Sequence, residues 1–124
     1  MSIEKIALQM LSNGKGILAA DESTGTMTKR LEAVKVTSTQ ENRLNFRETL
    51  FSSKKASSYI SGVILYDETL RQMSSSGASI VELLNKQNIL PGIKVDAGTK
   101  PLAGSPDELM TDGLNGLKVL EIKN

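Results

Sequence analysis

The first fourteen residues carry apolar side chains at helical spacing. These side chains recur at intervals of three and four along the chain and share one face: Ile3, Ile6, Ala7, Met10 and Leu11. Ser2 has a hydroxyl that suits an N-cap, and Gly14 suits the position just beyond a helix C-terminus. The pattern therefore predicts a helix over residues 2–14.

Three short apolar runs each end in a carboxylate. They are GILAAD at residues 16–21, YISGVILYD at residues 59–67 and IKVD at residues 93–96. No polar residue alternates with the apolar ones in the first run, and this is typical of a central parallel strand that is buried on both faces. The runs therefore predict three strands, which end at Asp21, Asp67 and Asp96.

Helical segments are predicted between the first two strands. A hydroxyl-rich loop at residues 22–28 leads into a short helix near residues 27–34. Thr39 is placed to cap a second helix. The apolar residues of that helix recur at spacings of four and seven: Leu44, Phe46, Leu50 and Phe51.

A further pair of helices is predicted between the second and third strands. Residues 68–73 indicate a short helix. Ser79 and Glu82 have the spacing of a capping box, so another helix begins there and ends at Asn88. Its predicted buried residues are Ile80, Leu83 and Leu84.

The alternation of strands and helices predicts an α/β fold with parallel strands and right-handed crossovers. In such folds, ligands bind at the carboxyl ends of the strands. Charged side chains at four positions are expected at or near that edge: Asp21, Asp67, Lys94 and Asp96. The edge is therefore the candidate functional site.

Composition narrows the possible chemistry. The chain has 124 residues, one more basic than acidic residue, and neither Cys nor His. Disulfides, thiol nucleophiles, Ser-His-Asp triads and imidazole zinc ligands are thereby excluded, so acid–base chemistry falls to Asp, Glu, Lys or Tyr. The balanced charge gives no case for nucleic acid. No apolar run is long enough to cross a membrane and no secretory signal is evident, so a cytoplasmic location is expected.

Two residues of this edge have competing interpretations. Asp21 either caps the following loop or helix, or serves as a general acid/base or as the partner of a cation. Lys94 lies within an apolar strand, where a charge needs a partner, and Asp21 or Asp96 could supply it. The alternative for Lys94 is a lysine on an edge strand, exposed to water.

Basic and hydroxyl side chains elsewhere are less specific. The loop from Ser23 to Thr28 resembles a loose phosphate cradle with Lys29 and Arg30 behind it, or else a capping loop with a solvated basic pair. Arg43 and Arg47 are expected to face solvent from their helix. Tyr66 is expected to serve packing.

The sequence resembles class I fructose-bisphosphate aldolases. The resemblance begins with GKGILAADESTG at residues 14–25. It continues in collinear motifs: KRL at 29–31, ENR at 41–43, GVIL at 62–65, ETL at 68–70, GIKVD at 92–96, PLAG at 101–104 and GLNGL at 113–117. It implies a partial TIM (β/α)8 barrel of about three β/α units with an amino-terminal helix.

The resemblance also implies a chemistry. Family members cleave fructose 1,6-bisphosphate reversibly to dihydroxyacetone phosphate and glyceraldehyde 3-phosphate through a lysine Schiff base, with no metal and no cofactor. By position, the catalytic candidates are Asp21 and Lys94. The substrate-binding candidates are Ser23, Thr26, Arg30 and Arg43, with Thr26 standing where many members have Ser.

The resemblance covers residues 1–117, and residues 118–124 form a divergent tail with predicted turns before it at 111–113 and 115–116. The family's Schiff-base lysine and its acid/base glutamate belong to later strands and match no residue here. We therefore expect a truncated aldolase with little or no lyase activity by itself. The alternatives are a non-catalytic fragment that binds a full-length aldolase or a sugar phosphate, and a chain that does not fold stably alone.

Overall fold

The described part of the chain alternates helices and strands. The computed structural model describes residues 2–11 and 14–96. Its elements are α1 (Ile3–Met10), β1 (Gly16–Ala20), α2 (Thr24–Ala33), α3 (Gln40–Phe51), α4 (Ala56–Tyr59), β2 (Ile60–Leu65), α5 (Asp67–Leu70), α6 (Ile80–Lys86) and β3 (Leu90–Ile93). The predicted turns at 111–113 and 115–116, the motifs at 101–104 and 113–117 and the tail lie outside the described residues.

The three strands are parallel, as the sequence predicts, and their order in the sheet is β1-β2-β3. Ile17 pairs with Gly62 and Ala20 with Leu65, so the carboxyl ends of β1 and β2 are level. Leu65 also pairs with Ile93 at the end of β3. The residues that follow all three strands therefore meet at one edge.

The third strand begins and ends earlier than predicted. The prediction of a strand over residues 93–96 is wrong, because β3 runs from Leu90 to Ile93 and includes Pro91 and Gly92. Within the described sheet β3 is an edge strand, where the missing N–H of a proline is tolerated. Gly92 lies so close to β2 that an added Cβ would be 3.3 Å from the carbonyl oxygen of Val63. Lys94 consequently follows the strand instead of lying within it.

Local capping signals are confirmed at several helices. The Ser2 hydroxyl accepts a hydrogen bond from the N–H of Lys5, and Thr39 caps α3 in the same way. Both reciprocal hydrogen bonds of the Ser79–Glu82 capping box are present at α6. Because the two residues of each capping interaction are only three positions apart, the caps can be recognised in the sequence.

Several helix boundaries differ from the prediction: α5 covers Asp67–Leu70 instead of residues 68–73, and α6 ends at Lys86 instead of Asn88. The first helix ends at Met10 with Leu11 as its C-cap, so Gly14 does not terminate it, although its φ of +67° is of the kind that suits glycine. Helix α2 begins at Thr24, three residues before its predicted start, because the Ser23 hydroxyl accepts a hydrogen bond from the N–H of Thr26. Apolar spacing alone does not locate either end.

Apolar residues from the sheet and helices α3, α4 and α6 form the core. The buried members are Ala20, Phe51, Ala56, Val63, Leu65, Ile80, Leu84 and Ile89. Leu83, the third residue predicted to be buried in α6, packs partly against this cluster. Helix α1 contributes only Ile6 as a buried residue. In the described ranges, no helix has the length and apolar character that a membrane span requires.

Helix α3 is oriented differently from the prediction. Arg43 and Arg47 are predicted to face solvent, but they are 8% and 1% exposed, so that prediction is wrong. Phe46 and Leu50 are instead nearly half exposed. The helix turns its arginines inward because carboxylate, hydroxyl and carbonyl partners lie there on distant segments of the chain.

Candidate functional site

The carboxyl edge of the sheet brings Lys94 and Asp21 together. Lys94 Nζ lies 3.0 Å from Asp21 Oδ2 and 3.2 Å from Asp96 Oδ1. The two strands concerned, β1 and β3, are separated in the sheet by β2, so the lysine side chain reaches across. The predicted pairing of Lys94 with these carboxylates is confirmed, and the alternative of a water-exposed lysine is wrong, since only 23% of its side chain is exposed.

The partners of Lys94 determine its charge. The hydrogen bond to Asp21 raises the pKa of Lys94 above its ordinary value, and this effect outweighs the opposing effect of burial. The hydrogen bond to Asp96 adds to the rise. The side chain is therefore an ammonium ion at neutral pH. An ammonium can attract and orient anionic groups, but it has no lone pair with which to attack a carbonyl.

Asp21 acts as a cation partner and not as a helix cap. The cap of α2 is Ser23, one residue beyond Glu22. Asp21 instead accepts the hydrogen bond from Lys94. The alternative in which Asp21 caps the following helix is thus wrong.

Asp67 follows β2 at the same edge but makes a separate contact. Its carboxylate accepts hydrogen bonds of 2.9 and 3.1 Å from Arg71, which is the C-cap of α5. Both side chains are more than half exposed, and the hydrogen bond from Arg71 lowers the pKa of Asp67. Asp67 therefore belongs to a local surface pair.

The hydroxyl loop after β1 is organised by the start of α2. Ser23 Oγ lies 3.2 Å from Thr26 Oγ1 and accepts the hydrogen bond from the N–H of Thr26. Arg30, one of the two basic residues behind the loop, pairs with Glu22 and leaves 55% of its side chain exposed. The interpretation of this segment as a capping loop is confirmed. Its hydroxyls and Arg30 remain predictions as substrate-binding groups.

Arg43 forms a bidentate salt bridge with Glu68. Nε and Nη2 of Arg43 donate to the two carboxylate oxygens at 2.9 and 2.6 Å, and Nη1 donates to the carbonyl oxygen of Ser38 at 2.8 Å. The hydrogen bond raises the pKa of Arg43 and lowers that of Glu68. Arg43 thus ties α3 to α5, and its assignment to the substrate stays a prediction.

Arg47 is the residue that sequence reasoning missed. Its guanidinium donates to the carbonyl oxygen of Glu22 and, at 2.8 Å, to Thr69 Oγ1. It also lies over the ring of Tyr66, 5.8 Å from the centroid, so Tyr66 contributes more than packing. One signal for it exists in the sequence: Arg43 and Arg47 are four residues apart and therefore share a helix face.

A polar depression lies beside these contacts. It has a volume of about 550 Å³ and is lined by residues of α2, α3 and α5, including Thr24, Gln40 and Glu68. Neither Asp21 nor Lys94 lines it. Among residues 2–11 and 14–96, no group of three Asp or Glu side chains is arranged to hold a metal ion.

Known proteins are similar to this chain in sequence and in fold. A family model for class-I fructose-bisphosphate aldolase matches residues 2–122. A probable fructose-bisphosphate aldolase class 1 from Xanthomonas campestris pv. campestris is 50% identical over 121 residues, which are 95% of this chain and 36% of that protein. The cytoplasmic isozyme 1 of fructose-bisphosphate aldolase from Pisum sativum is 51% identical over 113 residues, which are 91% and 32% of the two chains.

A structural comparison identifies the same family as the sequence comparisons. The fructose-bisphosphate aldolase of Plasmodium falciparum, solved in a complex with TRAP and a small-molecule inhibitor, superposes with a TM-score of 0.72 at 47% identity. The match covers 82% of this chain and 28% of that one. The present chain spans about a third of the length of the curated relatives it matches.

Proposed function

The chain belongs to the class-I fructose-bisphosphate aldolase family, and from this premise we propose that it carries the Asp21–Lys94 part of a site for Schiff-base cleavage of fructose 1,6-bisphosphate. The observation that carries the proposal is the Lys94 ammonium held between two carboxylates at the carboxyl edge of a parallel sheet. That edge is where TIM barrels bind substrates. The described sheet accordingly corresponds to the first three β/α units of such a barrel.

Lys94 serves the reaction as a fixed positive charge. Its raised pKa keeps it protonated, so the amine that adds to the substrate ketone is a different lysine. That amine adds to the C2 ketone and water is lost to give an iminium. The electrons of the C3–C4 bond then move to the iminium to form an enamine, while the C4 hydroxyl gives its proton to a general base, which in the family is a glutamate of a later strand. Lys94 orients Asp21 beside these groups, and Asp21 in turn holds active-site lysines and substrate hydroxyls by accepting their hydrogen bonds.

The phosphorylated substrate meets the hydroxyl loop and the arginines. Ser23, Thr26 and Arg30 lie at the start of α2 or later along it, soon after the strand that ends beside Asp21. Arg30 is the most exposed cation of this group and is the first to meet an anion. Arg43 requires an exchange of partners, because Glu68 and Ser38 hold it in the present structure.

The 124-residue chain alone is inactive under this proposal. By family resemblance the Schiff-base lysine belongs to the sixth strand of the barrel, and the described residues supply three strands. Strands β1 and β3 each have one unpaired side within the described sheet. Partners that supply further strands, including aldolase subunits, fit these edges. A cytoplasmic location is proposed because one relative is named as a cytoplasmic isozyme.

Borohydride trapping tests the proposal. The purified chain, mixed with fructose 1,6-bisphosphate and borohydride, is expected to give no lysine adduct and no aldol cleavage. A chimaera in which residues 2–96 replace the matching segment of the Xanthomonas campestris relative is expected to cleave the substrate. In that chimaera, Lys94→Met should lower kcat strongly, whereas the exposed Lys86→Met should not.

The outcomes separate the alternatives. An adduct on the isolated chain, formed at an enzyme-like turnover of about 1 s⁻¹ or more, contradicts its inactivity. An active chimaera in which Lys94→Met and Lys86→Met behave alike contradicts the role given to Lys94. A broad, non-cooperative melt of the isolated chain indicates instead that this segment does not fold stably alone.

A further inference from the structure

Arg47 is buried in a way that packing does not explain. It is 1% exposed, and burial lowers its pKa, which means that the charge is held there at a cost. Its Nε has no hydrogen-bond partner among the described residues. Apolar side chains of similar volume would fill the same space without that cost. A buried charge with an unsatisfied hydrogen-bond donor departs from the usual composition of a protein core. Such departures are expected where a residue contributes to a functional site.

The contacts of Arg47 connect two strand ends. Nη2 donates to the carbonyl oxygen of Glu22, the second residue after β1. Nη1 donates to Thr69, and the guanidinium lies over Tyr66, so both of these contacts are made to the segment after β2. Arg47 therefore fixes the Glu22–Ser23 peptide, one residue beyond Asp21, relative to the neighbouring strand.

Lys94 holds the same segment after β1 through the Asp21 side chain. It binds the Asp21 carboxylate from the segment after β3. The short stretch Asp21–Glu22 is thus held twice, by Lys94 at a side chain and by Arg47 at a backbone carbonyl. A loss of the second contact frees the Glu22–Ser23 peptide and so loosens the backbone next to Asp21, which sets the direction of its carboxylate.

We propose that Arg47 is a positioning residue that holds the Asp21 carboxylate in place for Lys94 by anchoring the Glu22 carbonyl. The idea rests on the proposed function, in which Asp21 and Lys94 act together. Charged and titratable groups that face Arg47 are Glu22, Glu68, Arg43, Asp21 and Tyr66. The other cation in this set, Arg43, donates to Glu68 and Ser38.

An NMR titration of Lys94 in the 124-residue chain provides the test. Arg47→Lys keeps the charge but shortens the reach, and Arg47→Met removes both the charge and the hydrogen-bond donors. The pKa of Lys94 is expected to fall in both variants, because its main stabilising partner, Asp21, is displaced. Removal of a nearby cation by itself would raise the pKa of Lys94, so the direction of change distinguishes positioning from simple electrostatics.

Thr69→Val is the matched control. It removes the acceptor of Nη1 but leaves the Glu22 contact, and the pKa of Lys94 should stay as in the wild type. An unchanged Lys94 pKa in folded Arg47→Lys, or a raised one in Arg47→Met, overturns the proposal. Where Arg47→Met fails to fold, Arg47→Lys decides.

The active chimaera supplies a second and independent readout. There Arg47→Lys should lower kcat by roughly 10- to 100-fold with KM changed little, since a misplaced carboxylate costs rate more than substrate affinity. Equal kcat in the chimaeras with and without this substitution overturns the proposal. A wild-type chimaera with no activity overturns the proposed function instead, and the Lys94 titration in the chain then still decides the role of Arg47.

Discussion

The Asp21–Lys94 pair should contribute measurably to the stability of the folded chain. Asp21→Asn keeps the size of the side chain and a hydrogen-bond acceptor, so it removes charge with little change in shape. At the observed 3.0 Å, two unit charges attract by about 1.4 kcal/mol in water and by about 5.5 kcal/mol at an effective dielectric constant of about 20. About a fifth of each side chain is exposed, 23% for Lys94 and 20% for Asp21, so solvent screens the pair.

Two further effects reduce the expected cost. Asp96 remains 3.2 Å from Lys94 in the variant, and the introduced amide requires less desolvation than a carboxylate does. We therefore expect Asp21→Asn to lower the free energy of unfolding by about 1–2 kcal/mol at about pH 7. Urea unfolding measures the difference. Asp67→Asn is the matched control, because the same change on an exposed carboxylate at the same edge should leave the urea midpoint where it is.

The pH dependence gives a second check on the same pair. The folded-state pKa of Lys94 is raised, so the stabilisation is fully present below the unfolded value of about 10.4 and is lost as pH rises through the folded pKa. The difference between wild type and Asp21→Asn should thus be constant from about pH 7 to 9 and decrease above about pH 10.4. A difference that persists undiminished at high pH would refute the assignment of the effect to this ion pair.

Two other predictions concern the supports of the site. Glu68→Gln should cost about 1–3 kcal/mol at about pH 7, since it leaves Arg43 without its carboxylate. The pKa of Glu68 is lowered, so this stabilisation is present above about pH 4.3 and is lost as pH falls through the pKa of the folded state. If urea unfolding shows that Glu68→Gln loses as much free energy of unfolding at about pH 3 as at about pH 7, the prediction is contradicted. Gly25→Ala, where an added Cβ meets nothing within 4 Å, should raise the free energy of unfolding by about 0.5–1 kcal/mol. Gly92→Ala should lower the free energy of unfolding, because its Cβ would crowd the Val63 carbonyl. Urea midpoints that shift in the same direction in both glycine variants would contradict this expectation.

Predictions from the sequence succeed where the signal and its cause lie close together in the chain. The Ser79–Glu82 capping box spans three residues, and the structure contains both of its hydrogen bonds. The parallel order of the strands follows from helices between short apolar runs, which is again a local pattern. Lys94 can be paired with Asp21 because parallel topology puts strand ends together, even across 73 residues.

The errors arise where a distant partner outweighs the local pattern. Charged side chains on a helix are usually solvated, and for this reason Arg43 and Arg47 are predicted to face solvent. Their hydrogen-bond partners, Glu68 and Thr69, lie 25 and 22 residues away in the sequence. The predicted third strand begins at Ile93, after Pro91, whereas β3 includes that proline. The tolerance of that proline depends on the edge position of β3, and that position is a property of the whole sheet.

The electrostatic balance of the site bears on what the described segment can bind. Four cations of the site each have a carboxylate: Arg30 and Arg47 have Glu22, Arg43 has Glu68, and Lys94 has Asp21 and Asp96. A phosphate that approaches this edge must compete with those carboxylates and break hydrogen bonds that are already made. Charge therefore favours a role in which this segment orients and holds groups. Under the proposed function, strong binding of a bisphosphate then depends on cations beyond the described residues.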